Sequence, residues 1–194
     1  MTTTIPVLET ERLIIRPFEM GDLHGAHAVL SRAWDEPPEE RERRLADREQ
    51  WLRWSVLNHG VLASLDQPAY GDRAVVLKEG EVLIGSVGLV PAMGPFRQIP
   101  GFPDADGSNL WFPEVGLYWA VDPTYQGRGY ATEAARTLID RTMEQFNLAR
   151  IIATTEYSNA ASIGVMRKVG MRIMRNPLPE PVWFQVVGIL SREE

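Results

Sequence analysis

The chain of 194 residues has no cysteine, which excludes a disulfide scaffold and any reaction that runs through a protein thiolate. No stretch approaches the roughly 18 apolar residues that a membrane-crossing helix needs. The opening Met1-Thr-Thr-Thr-Ile-Pro6 has no basic stretch leading into an apolar one, so neither a membrane span nor a secretory signal is expected and the chain reads as cytoplasmic. Positive charge is also short, with 20 Lys and Arg against 26 Asp and Glu and a formal net charge of -6. A duplex-binding surface normally carries a basic stripe, so nucleic acid is not an expected partner. Histidine is scarce. His24 and His27 stand three apart on one predicted helix with no third ligand, which predicts no metal, and His59 falls at a helix end where it complements the dipole. Internal repeats and low-complexity tracts are absent.

What is present is an ordinary globular composition, 44% hydrophobic and 24% charged. Against a prior of roughly 150 residues per domain, the length predicts one domain over 1–194 with an extended loop at 91–113. Arg12-Leu-Ile-Ile-Arg16 reads as a strand stopped by Pro17, and a helix is expected from about 21 to 32. Pro37 to Asn58 predicts a charge-rich surface helix stopped by Gly60; its Trp51 and Trp54 suit the core better than a pocket lining. Two strands, 73–78 and 81–90, meet at Glu79-Gly80. Pro91 to Pro113 then carries five prolines and three glycines in 23 residues, too many for regular structure. A strand at 114–121, a helix at 130–146, a strand at 150–155, a helix at 160–169 and closing strands at 171–175 and 182–190 complete the order β-α-α-β-β-β-α-β-α-β-β. That mixed order predicts an α+β fold, one central sheet flanked by helices.

The stretch with the most chemistry is Val121-Asp-Pro-Thr-Tyr-Gln126-Gly127-Arg128-Gly129-Tyr130-Ala131-Thr132-Glu133. A strand ends, a glycine-rich turn follows and a helix opens directly from it. Backbone N–H groups without neighbouring Cβ atoms, at the positive end of a helix, suit a phosphate or pyrophosphate. A turn that merely joins strand to helix is the other reading. The phosphate-loop pattern G-x-x-x-x-G-K-[ST] is missing, and G-x-G-x-x-G fails because Thr132 stands where the third glycine belongs.

Gln126-x-x-Gly129-x-Ala131 after a strand ending in Val-x-Pro resembles the coenzyme A signature of the GCN5-related N-acetyltransferase (GNAT) superfamily. Glu156-Tyr-Ser-Asn159-Ala-Ala-Ser162, opening a helix that ends in Lys168-Val-Gly170-Met171, is similar to the motif that follows it in that family. Glu9-Thr-Glu-Arg12-Leu-Ile-Ile-Arg16-Pro-Phe18 resembles the start of the RimJ/RimL-like branch, which acts on ribosomal proteins and small molecules. The resemblance runs from residue 9 to about 175. It implies a mixed, mostly antiparallel sheet of about seven strands, with acetyl-CoA as co-substrate and no metal. It departs at the long 91–113 segment and at the last strand, which lacks the Tyr or Asp common in this branch.

The resemblance further implies direct attack of an amine on acetyl-CoA. Gln126, Gly127, Arg128, Gly129, Tyr130, Ala131 and Thr132 would hold the pyrophosphate, Val121 would end the strand pairing with the pantetheine arm, and Asn159 and Ser162 would lie by the thioester. An α-amine of pKa ~7.8 costs about 1 kcal/mol to deprotonate at pH 7, and a lysine at ~10.4 about 4.6 kcal/mol. Glu114 is the candidate base and Ser162 the candidate donor to the leaving sulfur; a solvated strand-end carboxylate and a helix cap are the respective alternatives. The expected acceptor is a small-molecule or peptide primary amine. A non-catalytic acyl-CoA-binding or sensor module is the competing function. Phe96, Phe102, Trp111 and Phe112, with Asp104 and Asp106, would contact that amine, unless 91–113 is a stiffened surface loop or a homodimer contact.

Overall fold

The computed structural model describes residues 3–68 and 70–192, and the chain parts into two compact units. The first comprises Met1–Leu89 and Tyr118–Phe146, the second Val90–Leu117 and Asn147–Glu194.

In the first unit, strands β1 (Leu8–Glu9), β2 (Leu13–Pro17), β3 (Gly71–Leu77) and the start of β4 (Val82–Gly94) lie side by side, all antiparallel. Leu13 and Ile15 alternate into the interior from β2, while β3, between two neighbours, buries nearly every residue. Helices α1 (Leu23–Ala33) and α2 (Pro38–Ser64) follow β2, and Leu52 of α2 joins Phe18, Ala26, Ala74 and Val76 in the core. Trp51 packs edge-on against Phe18, but Trp54 is exposed, so the core expectation holds for only one of the two tryptophans. α2 also runs past Gly60 to Ser64. A mid-helix glycine costs only about 1 kcal/mol relative to alanine, and Gly60 is not among the residues with positive φ, so nothing stops the helix there. The end of β5 (Phe112–Val121) leads into α3 (Tyr130–Gln145), which buries Ala134, Ala135, Leu138 and Ile139.

In the second unit, β5 begins beside β6 (Arg150–Thr155), the two running parallel with Gly116 level with Ile152. β8 (Val186–Ser191) pairs antiparallel with β6 and with β7 (Arg172–Arg175). α4 (Ala160–Lys168) buries Ile163 and Met166; Gly188 of β8 leaves room for the Met166 and Met171 sulfurs, each 3.0 Å from where a Cβ would stand. The neighbour order over all strands is β1-β2-β3-β4-β5-β6-β8-β7. The sheet is mixed and mostly antiparallel, with eight strands where about seven were expected; two-residue β1 is too short to leave a pattern.

Two boundaries differ from expectation for clear reasons. β4 continues through Pro91 to Gly94: Pro91 is exposed and lacks only a donor, which a strand tolerates where no partner needs it. β8 starts at Val186 because 182–184 form a 3-10 turn. The segment after β4 is irregular as predicted, but Phe96 and Phe102 are taken up by the core and are not free for a substrate. Phe96, Ile99 and Phe102 are core residues, with Phe96 stacked on Phe102 at 5.4 Å and edge-on to Phe184 at 5.2 Å. Phe112 lies under the Arg97 guanidinium at 4.1 Å, and Trp111 is exposed. Phe96→Ala is therefore expected to cost about 3–5 kcal/mol, read as a lower urea midpoint. An unchanged midpoint would place the segment outside the core.

Candidate active site

β5 delivers the phosphate-binding candidate. The Val121 carbonyl accepts the Gln126 side-chain amide at 2.8 Å, so Gln126 closes the turn on itself. Asp122 accepts the Thr124 N–H at 2.9 Å and the Arg32 guanidinium at 2.8 and 2.5 Å. Burial pushes the Asp122 carboxyl upward, but the Arg32 and Thr124 hydrogen bonds outweigh it and hold it below its ordinary value. Gly127 and Gly129 then take φ of 75° and 86°. A Cβ at Gly127 would meet nothing within 4 Å and one at Gly129 only Arg12 Nη2 at 3.5 Å, so glycine is required there by conformation rather than by space. Gly129 is the N-cap of the 16-residue α3 and has no side chain to cap its first turn. The open N–H groups and the helix dipole suit an anion. Arg128 beside it is exposed.

Behind the turn is a brace that sequence reasoning missed. Arg12 donates to the Arg128 carbonyl at 3.1 Å, pairs with Glu133 through Nε at 2.8 Å, and lies over the Tyr130 ring at 4.5 Å. Thr10 donates to the same carboxylate at 2.5 Å. Burial works to raise the Glu133 carboxyl, and the Thr10 and Arg12 hydrogen bonds overcome it, so it stays below the usual range. Both residues stand in quoted motifs, but only the fold brings positions 121 residues apart together. Val121 is buried at the strand end, and Tyr130, Ala131 and Thr132, half-buried, form the first turn of α3.

In the second unit, Asn159 Oδ1 accepts the Ser162 N–H at 2.9 Å as the N-cap of α4, and Ser162 is half-exposed in the first turn. Glu114 is not a solvated strand end. It stands two residues before Gly116 as Arg150 does before Ile152, on the same face of paired strands, and the two form a bidentate ion pair with Arg150 Nε 3.0 and 2.8 Å from the carboxylate oxygens. The Glu114 side chain is 6% exposed, and its hydrogen bonds raise the Arg150 pKa. Both Glu114 oxygens are taken up by the Arg150 guanidinium, so the side chain is held in a structural ion pair and not turned toward an amine. Glu114→Gln is accordingly expected to lower kcat/KM by a factor that does not change with pH. A gap that closes at high pH would instead mark Glu114 as the base.

A strand that ends in a glycine-rich turn opening an uncapped helix, in a mixed sheet of this order, is an arrangement suited to a phosphate-bearing ligand. The chain belongs to the GNAT acetyltransferases: the family model described as Acetyltransferase (GNAT) domain matches residues 12–172. A relative in Bacillus subtilis (strain 168), the uncharacterized N-acetyltransferase YnaD, is 28% identical over 174 residues, covering 85% of this chain and 82% of that protein. An acetyltransferase structure from Agrobacterium tumefaciens str. C58 superposes with a TM-score of 0.67 at 22% identity, covering 97% of this chain and 96% of its own. Mycobacterium smegmatis RimJ, solved in complex with CoA-disulfide, gives a TM-score of 0.62 at 18% identity, covering 93% and 82% respectively. The two structures show the same fold.

Proposed function

We propose that the protein transfers the acetyl group of acetyl-CoA to the primary amine of a small molecule or a peptide, by direct attack with both substrates bound. The observation that carries this reading is the turn from Gln126 to Ala131, with two left-handed glycines opening onto the uncapped start of α3, at the residues of the family's CoA signature. The backbone N–H groups there bind the pyrophosphate, Arg128 adds charge, and the Arg12–Glu133 brace fixes the turn from behind. With no cysteine in the chain there is no thiol to carry the acetyl group. The amine must lose a proton, its nitrogen bonds to the acetyl carbon, and the sulfur departs with a proton, for which the family resemblance nominates Ser162.

The test is a panel of primary amines (peptides with free N-termini, amino acids and alkyl diamines) given with acetyl-CoA and scored by release of the CoA thiol. Release with at least one amine is the expected result. CoA binding without release for any of them would make the protein an acyl-CoA-binding module.

A further inference from the structure

The first unit buries polar groups that the turn and α3 leave unused. On β3, Asp72 is 6% exposed; its Oδ2 accepts Trp51 Nε1 at 2.8 Å, and its Oδ1 has no partner among the described residues. Gly88 stands opposite it in the β3–β4 ladder, where a Cβ would come within 2.7 Å of Oδ1, so the carboxylate packs over a position that a side chain would occupy. The Tyr118 hydroxyl on β5 is also out of solvent and unpartnered, and the Asp72 charge acts on it.

The nearby cation is bound to Glu36 through one nitrogen only, its Nε has no partner among the described residues, and its charge acts on Asp72. Arg48 of α2, 5% exposed, donates to Glu36 Oε1 at 3.1 Å, while Ser31 holds Glu36 Oε2 at 2.7 Å. The Arg48 guanidinium lies against the rings of Trp34 at 4.5 Å and Trp51 at 5.6 Å, and makes no hydrogen bond to Asp72. Burial and the Arg48 charge push the pKa of His27 on α1 down, which disfavours its charged form. A buried carboxylate oxygen that receives no hydrogen bond is costly even with the Arg48 charge acting on it, and a positively charged donor from outside the chain would relieve that cost.

We propose that Asp72 Oδ1 receives the primary ammonium of the acceptor and takes its proton. This rests on the acetyl-transfer reading and adds the residue that prepares the nucleophile. One N–H proton passes to Oδ1 and frees the nitrogen lone pair, which bonds to the acetyl carbon as the carbon–sulfur bond breaks. A second nitrogen proton is lost as the amide forms, the sulfur leaves as the protonated thiol, and Asp72 returns its proton to water. Tyr118 Oη offers a lone pair to another N–H, and Trp34, Trp51 and Tyr118 wall the stem. Trp34 is 48% exposed and lies 6.5 Å from the Tyr118 ring, which makes it the side of entry.

Burial pushes the Asp72 carboxyl up to about 6, with the Trp51 hydrogen bond and the Arg48 charge opposing the rise. It is therefore a stronger base than an ordinary aspartate and still ionised at neutral pH. The same rise costs stability. A folded-state value above the unfolded 3.8 means that this group's contribution is fully present below about pH 4 and is lost as pH rises through about 6.

The test compares wild type with Asp72→Asn, whose amide oxygen can still accept from Trp51, at saturating acetyl-CoA from pH 6 to 10. Peptides with free N-termini form one arm and alkyl amines the other, so the arm that turns over names the source of the ammonium. The variant is expected to lose about 100-fold in acceptor kcat/KM near pH 7, with the gap closing above the pKa of the amine and the acetyl-CoA KM unmoved. Its Tm is expected to rise at pH 7.5 and to match wild type near pH 4. Tyr118→Phe, which removes an unpaired hydroxyl, should fold and raise acceptor KM several-fold. Parallel pH profiles, or full activity in both variants, would overturn the proposal. Wild type turning over no amine would bring down the acetyl-transfer reading, and the proposal with it.

Discussion

Gly129→Val is expected to weaken CoA binding by about 100-fold or more while leaving the fold intact. Gly129 sits at φ 86° and is the N-cap of α3. An L-residue in that region costs roughly 1–2 kcal/mol, and a β-branched one more. The cheaper response is for the turn to relax, and relaxation rotates the N–H groups away from the phosphates. Losing two charge-assisted hydrogen bonds at about 1.5–3 kcal/mol each amounts to two or more decades in Kd. The site around Gly129 is open apart from Arg12 Nη2 at 3.5 Å, so the added side chain meets no core. Calorimetry with CoA, beside a thermal melt, reads both quantities. Undiminished affinity in a folded variant would remove the pyrophosphate assignment.

A stability effect as large as that at Phe96 is expected at Arg73. Its side chain is 1% exposed on β3 and has no carboxylate partner among the described residues; it donates instead to the carbonyls of Ile5 at 3.3 Å, Pro6 at 2.5 Å and Ile15 at 3.4 Å. Burial pushes its pKa down to about 10, still protonated at any physiological pH. The guanidinium ties the segment before β1 to β2, and removing it takes a donor from the carbonyls of Ile5 and Pro6 and opens a cavity. Arg73→Ala should cost about 3–5 kcal/mol, out of a total that for domains of this kind is about 5–15 kcal/mol. Arg73→Met fills part of the space without the charge and should lose less. Urea titration checks both. A change below about 1 kcal/mol for the alanine variant would show that the carbonyls find other partners.

The difference between what could and could not be read from the sequence follows the range of the interactions. The turn at 126–131 is legible because its demands are local: two glycines at left-handed positions, and a strand and a helix on either side within a few residues. The Asn159 cap is equally local. Gly60 and Pro91 misled because each weakens an element without ending it where no backbone partner is lost. The role of 96–102 was hidden because proline-rich spacing shows that a segment is irregular, not which way its phenylalanines point. Arg12 with Glu133, and Asp72 with Trp51 and Tyr118, are constellations made by strand and helix neighbours far apart in the chain. Within Gly71-Asp-Arg-Ala-Val-Val-Leu77, Asp72 looks like a solvent-facing strand residue, and only the flanking strands and α2 bury it.

The most direct measurement is mass spectrometry of protein and product in one reaction containing acetyl-CoA and the amine panel. The predicted result is an acetylated amine formed in step with free CoA thiol, one for one, with the mass of the protein unchanged throughout. CoA that binds while no amine in the panel gains an acetyl group, or an acetyl group that accumulates on the protein before it reaches the amine, would contradict direct transfer.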